Sequence, residues 1–177
     1  MTTLSMRLAF LLLPAFALTA AEGPATFKVS EFNFKRPASW EWVETTSTMR
    51  KAQLKVPDPK KSAGAEVVFF HFGEGNAGGT QANVDRWYGQ FQEPRDQIKA
   101  KSESVSAGKH KVTYVEAHGT YLSGPPGGAK TSMPNHMLLG AIIEADGGSV
   151  FIKFTGSADL AGASRKDFRQ MIESALK

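Results

Sequence analysis

The segment VVFFHFGEGNAGGTQANVDRWYGQF, residues 67–91, has in succession the patterns of a strand, a glycine-rich loop and an amphipathic helix. Residues 67–72 are apolar at every position except His71, which is typical of a strand covered on both faces. After the loop, four large apolar side chains recur at helical spacing: Val84, Trp87, Tyr88 and Phe91. We therefore predict a central strand, followed by a helix that packs one face against the sheet.

Two further strands are predicted before this unit. Residues 26–36 alternate apolar and polar side chains, with one shift in phase, and Pro37 ends the pattern. Residues 49–57 predict a second strand, in which Arg50, Ala52, Leu54 and Val56 are on the side that mostly faces the core. Both strands would join the sheet that residues 67–72 begin.

About four strands and a closing helix are predicted after the unit. Residues 102–122 contain two strand-like runs, and residues 136–156 form a strand pair around a turn at 146–148. Residues 159–177 have one apolar helical face, with basic side chains expected to face water: Arg165, Lys166 and Arg169. This order predicts an α+β fold with a largely antiparallel β-sheet of six or seven strands and two main amphipathic helices.

The chain begins with the three-part pattern of a secretory signal peptide. Arg7 precedes an apolar run over residues 8–18, and small residues follow, including Ala20 and Ala21. The run is shorter than the roughly 20 residues that a helix needs to cross a bilayer, so we expect cleavage near Ala20 or Ala21. An uncleaved anchor is the alternative, and a start at Met6 would still leave a signal peptide.

Composition is consistent with one exported domain over residues 22–177, once the predicted signal peptide, residues 1–21, is removed. The chain has no cysteine, which excludes disulfides, a thiol nucleophile and thiolate metal ligands. Its net charge of +4 is a mild excess, so we expect no nucleic-acid partner. We expect a periplasmic or secreted monomer with no transmembrane segment after cleavage and no cofactor.

Several segments resemble the fold that the PsbP extrinsic proteins of photosystem II share with the Mog1 Ran-binding proteins. The resemblance lies in FNFKRPASW (residues 32–40), in ANVDRWYGQF (82–91), in the late hairpin and in the closing helix. HGTYL (118–122), LLGAIIE (138–144) and FIKFTG (151–156) are also similar to a group of small exported bacterial proteins of unknown function. The resemblance implies a non-catalytic accessory or binding protein and identifies no partner.

The glycine loop contains G-x-G-x-x-G from Gly73 to Gly78, a spacing found in nucleotide sites. Its surroundings do not fit such a site, because no acidic residue follows at a second strand tip and Gly79 is followed by Thr80 and Gln81. A generic anion site is the hypothesis that remains. Gly78, Gly79 and Thr80 would present N–H groups at a helix start capped by Thr80. A plain connection between strand and helix is the alternative.

Three side chains are the candidate metal ligands: His71, Glu116 and His118. Glu116 and His118 would share a strand face at i and i+2, a spacing that metal sites use. His136 or His110 could supply a further ligand. For His71, the alternative is a hydrogen-bonded core histidine.

Trp40 and Trp42 are the candidate partner-binding residues. They alternate around Glu41 at a strand end, so one of the two can face solvent and anchor a partner. Core packing is the alternative for both. Trp87 and Tyr88, by contrast, are expected to pack the helix onto the sheet.

No catalytic residues are predicted. The chain has no G-x-S-x-G and no H-E-x-x-H motif, and no pair of carboxylates has a diagnostic spacing. The sequence therefore favours an exported, non-catalytic accessory or binding protein that engages another protein or an envelope component. A small-ligand, anion or metal-binding protein is the alternative class, and an enzyme of unknown type is a third.

Overall fold

Nine strands and two helices make up residues 23–125 and 127–177, which are the residues that the computed structural model describes. In chain order the elements are β1 Thr26–Val29, β2 Phe32–Lys35, β3 Glu41–Trp42, β4 Arg50–Asp58, β5 Lys61–His71, α1 Thr80–Tyr88, β6 Lys101–Ala107, β7 His110–Ser123, β8 Thr131–Glu144, β9 Val150–Ser157 and α2 Ala158–Ser174. The predicted signal peptide, residues 1–21, lies outside the described residues. Within the described part of the chain, no helix is long and apolar enough to cross a membrane.

Seven strands form one antiparallel sheet in the order β3-β4-β5-β9-β8-β7-β6, and β1 and β2 form a separate hairpin. Together with the two helices, this sheet confirms the predicted α+β class and the predicted antiparallel arrangement. The hairpin corrects the single strand predicted over residues 26–36. The phase shift in that pattern is a two-residue turn, since Val29 pairs with Phe32 and Ser30 has a φ of 54°.

Different elements pack on the two faces of the sheet. Helix α2 and the β1–β2 hairpin pack on one side, here the α2 face, over a large cluster that includes Phe34, Trp40, Leu54, Phe69 and Phe154. Helix α1 packs on the other side, the α1 face, over a smaller cluster that includes Val84, Trp87, Val115, Ile142 and Phe151. Successive residues of β5 alternate between these faces, which explains why that strand is apolar almost throughout. Each large side chain buried in this way contributes about 1.5–3 kcal/mol.

Helix α1 is fixed to the sheet mainly by Trp87. Its ring lies directly over Gly140 of β8, where an added Cβ would stand 2.3 Å from the ring. The predicted N-cap at Thr80 is wrong: Gly79 is the cap residue and Thr80 is the first helical residue. The Thr80 hydroxyl donates to Glu144 Oε1 at 2.8 Å, so a tertiary partner takes the group that would otherwise cap the helix.

Helix α2 begins at a Ser157 cap, whose hydroxyl accepts from the Leu160 N–H. Its buried face includes Phe168, Met171 and Ile172, as predicted. Two basic side chains expected in water are only partly exposed, because they pair with acidic side chains of β6 and β7. Arg165 makes a bidentate pair with Glu116 at 2.8 and 3.0 Å. Arg169 pairs with Glu103 and lies 4.3 Å from the centre of the Tyr114 ring. Lys166 is exposed, as expected.

The turn between β8 and β9 touches the glycine loop through the backbone alone. Gly148 has a φ of 105°, and an added Cβ would lie 2.4 Å from the carbonyl carbon of Gly73. Gly73 itself has a φ of 78°. Both the conformation and the close approach therefore require glycine at residue 148.

Candidate functional site

The α1 face of the sheet is only partly covered by α1. The helix lies over β7 and β8, whereas β4, β5 and β9 present half-buried polar and aromatic side chains on the same face. We call this region the open face. It comprises Arg50, Gln53, Glu66, Phe70, Phe72 and Lys153, with Gln90 and Tyr121 at its border.

Lys153 lies at the middle of the open face, on β9. Its Nζ donates to Gln90 Oε1 at 3.1 Å and to the Tyr121 hydroxyl at 3.2 Å, and that hydroxyl donates to Gln90 Oε1 at 3.0 Å. The ammonium also lies 5.8 Å from the centre of the Tyr121 ring. Among the described residues, Lys153 has no carboxylate within 4.0 Å. The direct hydrogen-bond partners of this largely buried charge among the described residues are therefore two neutral oxygens.

The environment of Lys153 disfavours its charged form. Burial lowers the pKa of the Lys153 ammonium below its usual value of 10.5, Glu66 opposes the shift, and Arg50 adds to it. Burial also raises the pKa of the Tyr121 phenol, with a smaller contribution from Glu66. Perturbed pKa values cluster at functional sites, so the shift together with the geometry makes Lys153 a candidate site residue.

Glu66 is held on the other side of the open face by two neighbours on β4. Its Oε1 accepts from Arg50 at 2.5 Å and from Gln53 at 2.8 Å, and Arg50 also donates to Gln53 Oε1 at 2.8 Å. The Glu66 carboxylate is thus paired with Arg50. Lys153 belongs to a separate hydrogen-bonded group with Gln90 and Tyr121, which contains no carboxylate.

One end of the open face is aromatic. Phe70 and Phe72 stack with their ring centres 6.2 Å apart, and Phe72 also approaches Phe151 at 6.1 Å. Phe72 is 37% exposed and is one of three large apolar side chains exposed among the described residues; Met49, just before β4, and Val105 are the others. Aromatic side chains such as these are enriched in protein interfaces.

Sequence reasoning did not identify Lys153 as a site residue. One signal was present, since Lys153 is the only charged residue in the otherwise apolar run 150–154. The other members lie on β4, β5 and β7 and beyond the end of α1, and only the strand order and the bend of β7 bring them together. No spacing along the chain indicates such a group.

The predicted anion site is an exposed loop with a carboxylate beside it. Gly78 has a φ of 74°, and an added Cβ at Gly78 or Gly79 would meet nothing within 4 Å. The Glu144 carboxylate bonds to Thr80 and lies 3.4 Å from the Lys111 ammonium. An external anion would have to approach this negative charge, so binding at Gly78, Gly79 and Thr80 stays a prediction.

The predicted metal ligands are not brought together. His71 lies on β5, and Glu116 and His118 lie on β7, with β9 and β8 between the two strands. Each has its own partner: His71 Nδ1 lies 3.3 Å from the Ser149 carbonyl, Glu116 is held by Arg165, and His118 Nε2 lies 3.0 Å from Asn135 Oδ1. Across residues 23–125 and 127–177, no three histidine or acidic side chains are grouped for a metal.

The two candidate tryptophans have different environments. Trp40 is 2% exposed and packs against Phe154, so it belongs to the core and not to a partner surface. Trp42 is half-buried, packs against Phe27 and donates from Nε1 to Glu44 at 2.7 Å. Only Trp42 keeps a surface that a partner could reach.

The fold defined above, a seven-stranded antiparallel sheet with a helix on each face, is PsbP-like. A solved structure that shares it is cyanobacterial PsbP (CyanoP) from Synechocystis sp. PCC 6803, with a TM-score of 0.52 and 11% identity over 87% of this chain and 94% of that chain. A protein of unknown function from Pseudomonas aeruginosa, PA94, matches with a TM-score of 0.49 and 13% identity over 84% and 93% of the two chains. No family model matches the sequence, and no curated protein matches it. At these identities the similarity concerns the fold alone.

Proposed function

We propose that this chain is an exported, non-catalytic accessory or binding protein that engages another protein or an envelope component through the open face. The observation that carries the proposal is Lys153, a largely buried ammonium on the part of the α1 face that α1 leaves uncovered. The PsbP-like fold supports an accessory role, which the sequence resemblance also implies.

The composition of the open face supports a protein partner. Interfaces are enriched in aromatic side chains and arginine, and their energy comes from a few anchors near the centre. Phe72 and Arg50 provide such side chains on the open face, and Arg50 and Lys153 are each already held by hydrogen bonds to neighbouring side chains. Binding would therefore require little side-chain ordering.

Export is supported by the leader pattern in residues 1–21 and by the absence of cysteine. A protein without thiols needs no redox control in an oxidising compartment. Periplasmic or secreted location is accordingly part of the proposal.

In-cell photo-crosslinking tests the proposed surface. A photoreactive phenylalanine analogue would replace Phe72 or Gln53 on the open face. The matched controls would carry it at Ala163 or Lys166, which are exposed on the outer side of α2. We expect discrete crosslinked species from residues 53 and 72 and none from residues 163 and 166.

The same experiment can contradict the proposal. Equal crosslinking from the four positions would mean collision without a defined surface. Crosslinks from residues 163 and 166 alone would assign binding to the opposite side of the molecule.

A further inference from the structure

We infer that the open face binds a carboxylate of its partner, an acidic side chain in a protein segment, at the Lys153 ammonium. This inference rests on the proposed binding function and specifies the chemistry of the partner. It follows from three features of the open face: the charge of Lys153, the engagement of Glu66, and the aromatic side chains beside them.

The Lys153 ammonium has more N–H donors than partners among the described residues. A lysine has three N–H donors, and those of Lys153 have two partners, both neutral: Gln90 Oε1 and the Tyr121 hydroxyl. A buried charge is normally paired, because removing it from water is costly. Lys153 has burial without an ion pair within the described residues, and a carboxylate from outside would supply the missing partner.

Glu66 is the carboxylate on the open face, and it does not pair with Lys153. Glu66 pairs across the strands with Thr155, and Lys153 pairs with Val68, so the two charged residues are diagonal neighbours. Glu66 nevertheless binds Arg50 and Gln53 instead of Lys153. Glu66 favours the Lys153 ammonium, and Arg50 and Lys130 oppose it, so three positive groups surround one carboxylate that is already paired with Arg50. The open face is therefore complementary to an anionic group.

The position of Lys153 in the open face favours a protein segment over an anionic membrane as the partner. A lipid surface attracts lysines that extend into water, whereas Lys153 is recessed and bordered by Tyr121 and Gln90. Phe70 and Phe72 lie at one end of the same face and offer an apolar contact. A segment with an acidic side chain next to an apolar one matches both features.

A peptide titration followed by amide NMR tests the inference. The probe is an acetylated, amidated peptide of sequence Glu-Glu-Phe-Glu-Glu, and the matched control is Gln-Gln-Phe-Gln-Gln. Added to the folded chain, the acidic peptide should shift amide signals in β5 and β9 and bind at least about tenfold more tightly than the glutamine peptide, as expected for a charge-assisted hydrogen bond.

Variants locate the binding charge. Lys153→Met keeps the aliphatic stem and removes the ammonium, and should weaken binding of the acidic peptide about tenfold or more. Lys153→Arg keeps a positive charge and should retain binding in part, whereas Lys166→Met removes an exposed lysine on α2 and should leave it unchanged. Equal binding to Lys153→Met and to the unmodified chain, or equal binding of both peptides, would overturn the inference.

The outcome can be separated from that of the proposed function. If Lys153→Met still crosslinks from residue 72 in cells and wild type ignores the acidic peptide, the carboxylate inference fails and the binding surface stands. If wild type gives no crosslink from the open face, the proposed surface fails. A response of β5 and β9 to phosphatidylglycerol vesicles and not to the acidic peptide would overturn the protein-carboxylate inference in favour of a lipid.

Discussion

Lys153 places a positive charge in the face of a sheet, where both of its hydrogen-bond partners among the described residues are neutral. Burial disfavours its charged form. Natural proteins accept such costs where function needs them, and substitution then raises stability. The residue is local evidence for a site because nothing in the core requires its charge.

We predict that Lys153→Met stabilises the fold at pH 7 by about 0.5–2 kcal/mol, because the charge is removed while the Tyr121–Gln90 hydrogen bond remains. The pKa of Lys153 is lowered on folding, so the unfolded chain binds more protons between the folded pKa and 10.5. The contribution of Lys153 to the free energy of unfolding therefore rises with pH in that window. The difference in stability between Lys153→Met and the unmodified chain should become smaller as pH approaches 10.5.

Urea unfolding at several pH values measures this effect. Lys166→Met serves as the control, since an exposed substitution should change stability by less than about 0.5 kcal/mol. A loss of stability in Lys153→Met at neutral pH would show that the ammonium stabilises the fold.

Tyr114 gives a second prediction at the scale of a residue. Burial, with Glu173 nearby, raises the pKa of the Tyr114 phenol to about 12. The unfolded chain releases this proton near pH 10, so the stability that Tyr114 provides is complete below pH 10 and is lost as pH rises through about 12. Tyr88 and Tyr121 also have raised pKa values, mainly through burial.

Ultraviolet absorbance titration should thus show little phenolate in the folded protein at pH 10 and more in urea at the same pH. Tyr114→Phe should remove the component that titrates near pH 12 and leave the others. If the folded and unfolded curves coincide, Tyr114 is accessible to water.

At the scale of elements, the spacing of apolar residues predicts those strands and helices whose burial follows a regular period along the chain. The strand over residues 67–72, α1 and α2 were identified because their burial repeats along the chain. The β1–β2 hairpin was missed because its turn, Ser30–Glu31, contains neither glycine nor proline. Other details depend on partners that are distant in sequence. The Thr80 hydroxyl donates to Glu144 instead of capping α1, and Arg165 pairs with Glu116.

The packing of α1 depends on the absence of a side chain at residue 140. Gly140→Ala would place a methyl group 2.3 Å from the Trp87 ring, so the ring must move, and we predict destabilisation of about 1–3 kcal/mol. Gly162→Ala in α2 is the matched control, because nothing lies within 4 Å of its added Cβ. That variant should gain about 0.5–1 kcal/mol from helix preference.

Chemical denaturation followed by tryptophan fluorescence would compare the two variants. The spectrum of Gly140→Ala should also shift to the red as Trp87 becomes more exposed. Equal stability in the two alanine variants would contradict the close contact between α1 and β8.

At the scale of the whole molecule, the fold class can be predicted from the sequence, whereas the order of strands in the sheet cannot. The number and order of strands and helices sufficed for the α+β class. The position of β5 beside β9 depends on pairing between residues far apart, and this pairing creates the open face. The spacing of residues along a single sequence does not reveal this pairing. Lys153, Glu66 and Tyr121 therefore cannot be recognised as one group from the sequence.

Export gives a prediction for the whole chain. Expressed with its own leader in a Gram-negative host, the protein should appear in the periplasmic fraction with residue 21 or 22 at its N-terminus. Deletion of residues 2–20 should leave it in the cytoplasm. Intact mass spectrometry of each fraction measures both outcomes, and a full-length species in the membrane fraction would indicate an uncleaved anchor.

The contact between Gly148 and Gly73 bears on how relatives of this chain can vary. The two glycines meet backbone to backbone, so a side chain at residue 148 would displace the loop that leads into α1. Across homologous sequences, glycine should persist at residue 148 wherever the loop keeps its present length. Lineages that lose it should show insertions or deletions between residues 73 and 79, a correlated change that sequencing of related genomes would reveal.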